Sequence, residues 1–562
     1  MEEILTQVVK QTFDVDVNVS LTRPDTQFGD YATNVAMQLA KPLGKNPREI
    51  ADLLAQKMRE TGYFLEVGIA GPGFINMRVS AKKLLASLQD QWSARYGESQ
   101  EGKGKTVIVE YPSPNMAKPY SIGHLRPGNQ GWAARRLMEV TGWNVISDNH
   151  LGDYGAPFGV WVTGFLKFSS EEQLKKDGVY ELGRIYIEAK KALKEEKERN
   201  ETKLADEVQQ WLLKLEAGDD EAIAYSKRFN QISLEHIHEI MGRLKIATDY
   251  EYGEAFFAPE GKEIVQRLLT SGVAIKNPDG SVVVSLAEFG YDTPILLLKS
   301  NGSALYATTD LATILYREEN WHPDRVIYSV GSEQQFHFAQ LFALAKKMDI
   351  KTEFIHLWFG MIDQVNEDGV REKMSSRKGV ILMEELLDTA EEKAREVVHG
   401  RTISDEDIKK IALGAIKFSD FTADRRTNIL FDWKTIFALT GFSGPYVQYA
   451  AVRVNKIIRD NSPIDRIIDS DYDYEEEKDV VTKLLEYPSV ITLAARDLEP
   501  HKVATYLYEL AREMNRYYEH TPVALPGVDV VTKAARLEML EKVSHVFTHG
   551  LSILGIEVPE AM

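Results

Sequence analysis

Two short strings carry the residues whose types and spacing could do chemistry. The first is Glu110-Tyr-Pro-Ser113-Pro-Asn115-Met-Ala-Lys118-Pro-Tyr-Ser121-Ile-Gly123-His124. It follows a β-branched run, Thr106-Val-Ile-Val, and leads into a helical pattern, so it spans the carboxyl end of a buried strand and a helix start. Open α/β sheets bind ligands at that edge, and the free N–H groups of a helix N-terminus favour phosphate. Ser121 and His124, at i and i+3, share one face of the first turn and can both hydrogen-bond phosphate oxygens. Gly123 lets a nucleotide approach the backbone. The second string is Glu372-Lys373-Met374-Ser375-Ser376-Arg377-Lys378-Gly379, where three cations, two hydroxyls and a glycine suit a clamp on a polyphosphate. Taken singly, the first is an N-capped helix start with an incidental histidine, and the second an exposed basic loop.

Two further patterns look chemical and carry less. Gly97-x4-Gly102-Lys103 matches most of a phosphate-binding loop, but Gly104 stands where Ser or Thr belongs and a strand follows instead of a helix. That segment reads as a linker. His236 and His238, flanked by Glu235 and Glu239, fall at i and i+2 of a helical pattern and cannot share an ion. No H-E-x-x-H occurs, and no metal site of the protein's own is expected.

The elements that must position these strings follow from periodicity. Strand, helix and strand around Thr106–Glu110, the segment up to Thr141 and Asn-Val-Ile-Ser-Asp-Asn form a βαβ unit, which predicts a parallel sheet. A second strand–helix–strand unit runs through Arg-Val-Ile-Tyr-Ser-Val, the segment beginning at Gln335, and Phe-Ile-His-Leu-Trp-Phe. An Asn301-Gly302 hairpin precedes it. Residues 1–104 read as an α/β module plus linker, and residues 105–431 as the catalytic domain, with a solvated helical insertion over about 169–250. Residues 432–562 read as a separate helix bundle. The fold class is therefore α/β, a Rossmann-like parallel sheet between an N-terminal α/β module and a C-terminal all-α bundle.

Composition narrows the function classes. A chain of 562 residues exceeds one hydrophobic core. It has no cysteine, so disulfides, thiolate metal sites and a cysteine nucleophile are excluded. No window reaches the roughly 18 uninterrupted apolar residues of a membrane helix. The first residues are acidic where a targeting peptide would be basic, and a cytoplasmic chain is the expectation. The net charge of -18 disfavours non-specific binding to nucleic acid or anionic membranes, but leaves room for local basic faces.

Together the two strings resemble the paired signatures of the class I aminoacyl-tRNA synthetases. Ser-Pro-Asn-Met-Ala-Lys-Pro-Tyr-Ser-Ile-Gly-His-Leu-Arg is similar to the arginyl-tRNA synthetase version in particular. So are Asn149-His-Leu-Gly-Asp-Tyr-Gly-Ala-Pro-Phe-Gly159, Gly444-Pro-Tyr-Val-Gln-Tyr-Ala450 and Phe28-Gly-Asp-Tyr-Ala-Thr-Asn-Val-Ala-Met37. The resemblance covers essentially the whole chain. One departure stands out: the family usually carries His where this chain has Ser121, which can donate to phosphate but cannot carry charge. Many members lack the first lysine of the loop signature, with an upstream lysine taken to compensate; this chain has both Lys118 and Lys373.

The resemblance implies an arginine–tRNA ligase using ATP, with Mg2+ accompanying the nucleotide. Lys118, Ser121, His124, Lys373 and Lys378 would be catalytic. Ser121, Gly123, His124, Lys373, Met374, Ser375 and Ser376 would hold ATP. A guanidinium needs paired carboxylates. Glu110 ends the first strand, and Asp310 lies just past the segment carrying Tyr306, which reads as a strand, at a helix start. Matched to the family, Glu110 and Asp310 would grip the guanidinium with Tyr306 against it. Asn115 and Gln334 would take the α-amino and carboxylate end, with Ser113 nearby. Tyr31 and Asn34 would stack on and hydrogen-bond a tRNA base. Arg453, Lys456 and Arg459 on one helix, and Arg512 and Arg516 on another, would contact tRNA phosphates. The implied partners are tRNA(Arg), L-arginine and ATP, with no membrane, and the implied state is a monomer. The alternative is a catalytically weakened, synthetase-like RNA-binding or regulatory paralogue, prompted by Ser121.

Overall fold

The computed structural model describes residues 1–562 except 154–156, 366–370, 375–380, 463–471, 473, 522 and 524–526. Packing divides the described chain into two units. Residues 1–96, 457–487 and 512–543 form the first, and residues 97–456, 488–511 and 544–562 the second.

In the first unit, strands β1 (Tyr31–Thr33), β2 (Glu66–Ala70) and β3 (Phe74–Arg78) form an antiparallel sheet in the order β1-β3-β2. The helical run expected after Asn34 is broken into Val35–Leu43 and Pro47–Glu60. Gly44 takes the left-handed conformation (φ 60) that closes the first helix. Asn46 then caps the second, accepting from the Arg48 N–H at 2.9 Å with Pro47 at the first helical position. Parts of the C-terminal helices Lys478–Asp497, His501–His520 and Val530–Ile553 belong to this unit. Lys478 pairs with Asp30 at 2.9 Å, Arg23 with Glu486 at 3.2 Å, and the Tyr96 hydroxyl donates to the Leu484 carbonyl at 2.8 Å. Packing thus cuts across the division by chain order.

The second unit opens on β4 (Thr106–Glu110) and β5 (Asn144–Asp148) and continues through β6 (Ile275–Lys276), β7 (Val282–Leu286) and β8 (Tyr291–Leu298). It returns with β9 (Arg325–Tyr328) and β10 (Glu353–His356), then β11 (Ile362–Val365), β12 (Arg371–Lys373) and β13 (Ile429–Leu430). The central sheet has the order β10-β9-β4-β5 and is parallel throughout, as the two strand–helix–strand patterns predict. Its register aligns Glu110 with Asp148 on one side and Tyr328 on the other, at the carboxyl edge.

Three expectations change. Residues 97–104 are docked: the Ser99 and Gly102 N–H groups donate to the carbonyls of Val140 and Thr141 at 2.9 Å each. Gly102 also lies against Trp143, where a Cβ would overlap the ring at 2.1 Å. The Asn301-Gly302 turn returns through a single bridge, Leu298 to Ala304, and the helix Tyr306–Trp321 begins at once. Tyr306 therefore opens a helix, and the partner of β8 is β7. Finally, the insertion is a packed layer. Its Leu182, Ile185 and Phe229 share a core with Trp161 and Phe165 of the preceding helix Pro157–Phe168 and with Ala117 of the first string. Among the described residues no helix is long and apolar enough to cross a membrane.

Candidate active site

The first string is held from both sides. Within it, the Ser113 N–H donates to Oδ1 of the buried Asn149 at 3.2 Å. The Met116 N–H donates to the Gly152 carbonyl, and the Gly152 N–H to the Pro114 carbonyl, at 3.2 Å each. A Cβ at Gly152 would come within 2.7 Å of Asn115 Oδ1, so any larger residue there would displace the Asn115 amide. From the insertion, the Ser233 hydroxyl accepts from the Ala117 N–H at 2.8 Å, and His236 Nε2 accepts from the Tyr120 N–H at 3.1 Å. Ser233 and His236, at i and i+3 of the helix Asp220–Arg243, reach the string from one face. His238 faces elsewhere, 2.7 Å from Glu251. Lys118 is exposed, with its ammonium 5.3 Å from the centre of the Tyr186 ring.

The turn of Ser121 to His124 fixes a tautomer. His124 Nδ1 accepts from the Ser121 N–H at 3.1 Å and lies 3.4 Å from the Ser121 hydroxyl. Burial, with Lys118 adding to it, pushes the His124 pKa down to about 4. The imidazole is therefore neutral at pH 7, with Nδ1 accepting and the proton on Nε2. Ser121 faces His124 inside the turn, and Gly123 is exposed beside them.

The substrate-side acids separate into two groups. Glu110 and Asp148 are both buried, and both lie 2.7 Å from the Arg317 guanidinium. Glu110 thus grips an arginine of the protein itself, where the sequence reading gives it the substrate. Two carboxylates share that one cation, and burial pushes the Glu110 carboxyl up. The second group is Asp310, Glu254 and Asp153. Asp310 Oδ2 is 2.6 Å from His337 Nε2. Glu254 opens the helix Glu254–Thr270, and burial plus the charges of Asp310 and Asp153 push its carboxyl up to about 8. Asp153 accepts from the Ala255 N–H at 2.8 Å and is also pushed up by burial. Tyr306, 64% exposed, is near enough to Glu254 and Asp310 for both to raise its hydroxyl, after burial. Three neighbouring acids, with an imidazole on Asp310 alone, call for a cation with several donors. Gln334 is exposed after β9, at the start of the helix Gln335–Lys347, as its place in the sequence predicts. Glu254 escapes sequence reasoning because a single acid at a helix start ordinarily only complements the helix dipole.

The two strings come together through their backbones. Lys373 lies in β12, opposite Asp363 of β11. Met374 is 6% exposed and donates its N–H to the Ile362 carbonyl at 2.9 Å, so it anchors the hairpin and leaves no side chain for a nucleotide. Ser375, Ser376 and Lys378 lie outside the described residues. Beyond them, the Ile122 N–H donates to the Ile381 carbonyl at 3.0 Å and the Met383 N–H to the Tyr120 carbonyl at 2.9 Å, bracketing a bridge between Ser121 and Leu382.

Of the residues read as meeting tRNA, Tyr31 is 7% exposed in the core of its unit, where burial raises its hydroxyl. It is not available for stacking, because β1 is buried along its whole length. Asn34 is exposed and accepts from Gln38 at 2.8 Å. The exposed aromatic rings of that unit are Phe28 (54%) and Phe74 (40%). Arg453, Lys456, Arg459, Arg512 and Arg516 are all exposed, and Arg516 pairs with Asp479 and, at 2.6 Å, with Glu513.

Comparison with known proteins gives matches along the chain. Residues 87–433 match the profile described as tRNA synthetases class I (R), catalytic domain. Residues 447–562 match the DALR anticodon binding domain, and residues 1–79 the arginyl tRNA synthetase N terminal domain. The arginine–tRNA ligase of Clostridium botulinum is 34% identical over 574 residues, covering 99% of this chain and 99% of its own. That of Cellvibrio japonicus is 33% identical over 558 residues, covering 95% and 94%. Thermus thermophilus arginyl-tRNA synthetase superposes with a TM-score of 0.81 at 22% identity, over 100% of this chain and 99% of that one. The Plasmodium falciparum structure gives 0.79 at 22% identity, over 100% and 98%.

Proposed function

The chain belongs to the arginyl-tRNA synthetase family; from that premise we infer that it is an arginine–tRNA ligase, and propose how its own residues share the work. ATP-dependent activation gives arginyl-adenylate, and the arginyl group then passes to the terminal ribose of tRNA(Arg). The observation that carries the reading is a cluster of acids short of positive charge, Asp310, Glu254 and Asp153, the last of them one residue past the Gly152 that bridges Asn115 of the first string.

In this reading the substrate guanidinium enters against Asp310, Glu254 and Tyr306. Glu110, one of two carboxylates sharing Arg317, adds negative charge behind them. Asn115, Ser113 and Gln334 hold the α-amino and carboxylate end. The carboxylate, ionised at pH 7, attacks the α-phosphorus of ATP, and the bond to the bridging oxygen breaks to release pyrophosphate. No general base is required, so positioning and charge stabilisation carry the rate. His124 donates from Nε2 to phosphate, and Ser121 keeps that tautomer. Lys118, Lys373 and Lys378 meet the polyphosphate, with Ser375 and Ser376, and Mg2+ arrives with the nucleotide. The donor that sets this tautomer is the backbone N–H at position 121, so the tautomer does not depend on the serine side chain, and the full-length match to arginine–tRNA ligases does not favour the regulatory alternative.

The profile limits at 79, 87, 433 and 447 support a three-part division with its second boundary near 431 and its first earlier than 104, between 79 and 87, with tRNA contacts at both ends of the chain. We propose a cytoplasmic monomer, as the resemblance implies. ATP–pyrophosphate exchange across amino acids, with and without tRNA, tests the reading. Exchange should require L-arginine and tRNA together. Robust exchange with lysine in place of arginine would overturn the pocket.

A further inference from the structure

We propose that Arg126 is a positioning residue that sets His124 against the β11–β12 hairpin carrying Lys373; the inference rests on Lys373 acting on the nucleotide's phosphates. Arg126 follows His124 by two residues in the first turn of the helix Leu125–Val140 and is 2% exposed. Its Nε donates to Oδ1 of the buried Asp420 at 2.7 Å. Its Nη1 donates to two carbonyls, Gly360 at 2.7 Å and Thr427 at 2.9 Å.

The place of those carbonyls in the fold gives the contact its meaning. Gly360 stands two residues before β11, and Thr427 two residues before β13, the parallel partner of β11. One guanidinium therefore holds the roots of both strands. A Cβ at Gly360 would come within 2.6 Å of the Thr427 carbonyl, so the two backbones meet only at glycine. Asp363 of β11 then takes Arg371 of β12 at 2.7 Å and Asn428 at 3.2 Å, which ties the hairpin to the same root. On its far side the second string returns to Ser121 through the bridge to Leu382. The string is thus fastened to the first on both sides, by Arg126 on entry and by backbone bonds on exit.

Packing alone does not account for this choice. Well-packed apolar residues commonly stabilise as much as a buried ion pair. A rigid planar fork that addresses a carboxylate and two carbonyls at fixed angles supplies geometry instead.

Arg126→Lys keeps the charge but offers one nitrogen where the fork addresses three oxygens. The experiment measures tRNA-supported ATP–pyrophosphate exchange for the full chain, Arg126→Lys, Lys373→Ala and the double variant, with KM for ATP and for arginine. A displacement of order 1 Å at a reacting group costs about 100-fold, so kcat should fall by about 10- to 100-fold. KM for ATP should rise severalfold while KM for arginine stays within about twofold, because Arg126 touches none of the pocket acids. In the Lys373→Ala background the same change should cost less than about threefold, since residues acting through one another are not additive. Asp420→Asn keeps shape and hydrogen bonding, and should show the same pattern at smaller amplitude; it carries the test if Arg126→Lys does not fold. A loss of active protein and melting temperature with both KM values unchanged would mean a structural role only, and would overturn the inference. Full additivity with Lys373→Ala would also overturn it. A silent Lys373→Ala would instead remove the assignment on which the inference rests.

Discussion

At the scale of single residues, the pocket is set by a shortage of positive charge. Asp310→Asn places an amide N–H against a donor-only guanidinium and removes one charge. Leaving a buried charge unpaired costs about 2–5 kcal/mol, so kcat/KM for arginine should fall by roughly 30- to several-thousand-fold, with KM for ATP little changed. A loss below about threefold in that assay would sink the assignment. Glu254 gives a pH prediction. Its carboxyl is held near 8 in the empty pocket by burial and by Asp310 and Asp153, whereas gripping a cation needs it ionised. Below that value arginine must expel a proton to bind, so KM for arginine should rise as pH falls from 8 towards 6, by up to about tenfold per pH unit. Glu254→Gln should raise KM at pH 8 and flatten the slope; an unchanged slope would remove Glu254 from the pocket. His124, held near 4, should add no step in this range. The place of Gln334 is legible in the sequence because it follows a strand of the sheet at a helix start, whereas Tyr306 and Asp310 fall in the helix Tyr306–Trp321, whose first turn the sequence reading takes for a strand. Arg317 is not, since nothing in a spacing of two hundred residues tells Glu110 that it will meet a guanidinium of its own chain.

At the scale of elements, the helix Asp220–Arg243 matters beyond its exposed charge. His236→Ala leaves the Tyr120 N–H buried without an acceptor, which costs about 1–3 kcal/mol. It should lower both the melting temperature and kcat of exchange, and His236→Gln, which restores an acceptor, should recover part of each. Equal losses in both variants would mean that ring packing, and not the hydrogen bond, holds the string. The periodicity made this helix visible, but its charge made it look solvated. What the pattern cannot show is that Ser233 and His236 point inward, to a backbone more than a hundred residues earlier. The short strand β1 gives the opposite lesson: a motif placed Tyr31 on the tRNA, and three consecutive buried residues place it in the core. Tyr31→Ala should therefore destabilise by about 3–5 kcal/mol, as large-to-small core changes do. The paired change Phe28→Ala with Phe74→Ala should instead leave the melting temperature nearly unchanged and raise KM for tRNA by roughly 5- to 150-fold, the worth of one lost base stack. The reverse pattern would restore Tyr31 as the contact.

At the scale of the whole molecule, chain order and packing divide differently. Residues 1–96 share a unit with 457–487 and 512–543. Deleting them strips Asp30 from Lys478, Tyr96 from the Leu484 carbonyl and Arg23 from Glu486. A truncated chain should keep hydrogen-exchange protection in β4, β5 and β9, but lose it in the helix segments 478–487 and 512–520. Protection retained in those segments would show that they stand without the N-terminal module. The parallel sheet was legible because two of its strands, β4 and β9, are short β-branched runs each followed by a helix and a further strand. The shared unit was not, since no local pattern announces which distant helix covers a small sheet.

The guanidinium of Arg317 has a consequence for what the pocket can measure. On the helix Tyr306–Trp321, Asp310 and Arg317 lie seven residues apart, on one face and about 10 Å from one another along the axis. The deepest seat on the sheet edge is thus already taken by the same chemical group the substrate brings. If Asp310 seats the substrate guanidinium as proposed, an incoming arginine stops one level above it, because two like charges cannot share the seat. The protein's own side chain would then act as a doorstop, and the height at which it stops the substrate would become a ruler. A cationic side chain is then judged by its length as well as its charge. One that is too short leaves its carboxylate short of the α-phosphorus, however well its charge is held.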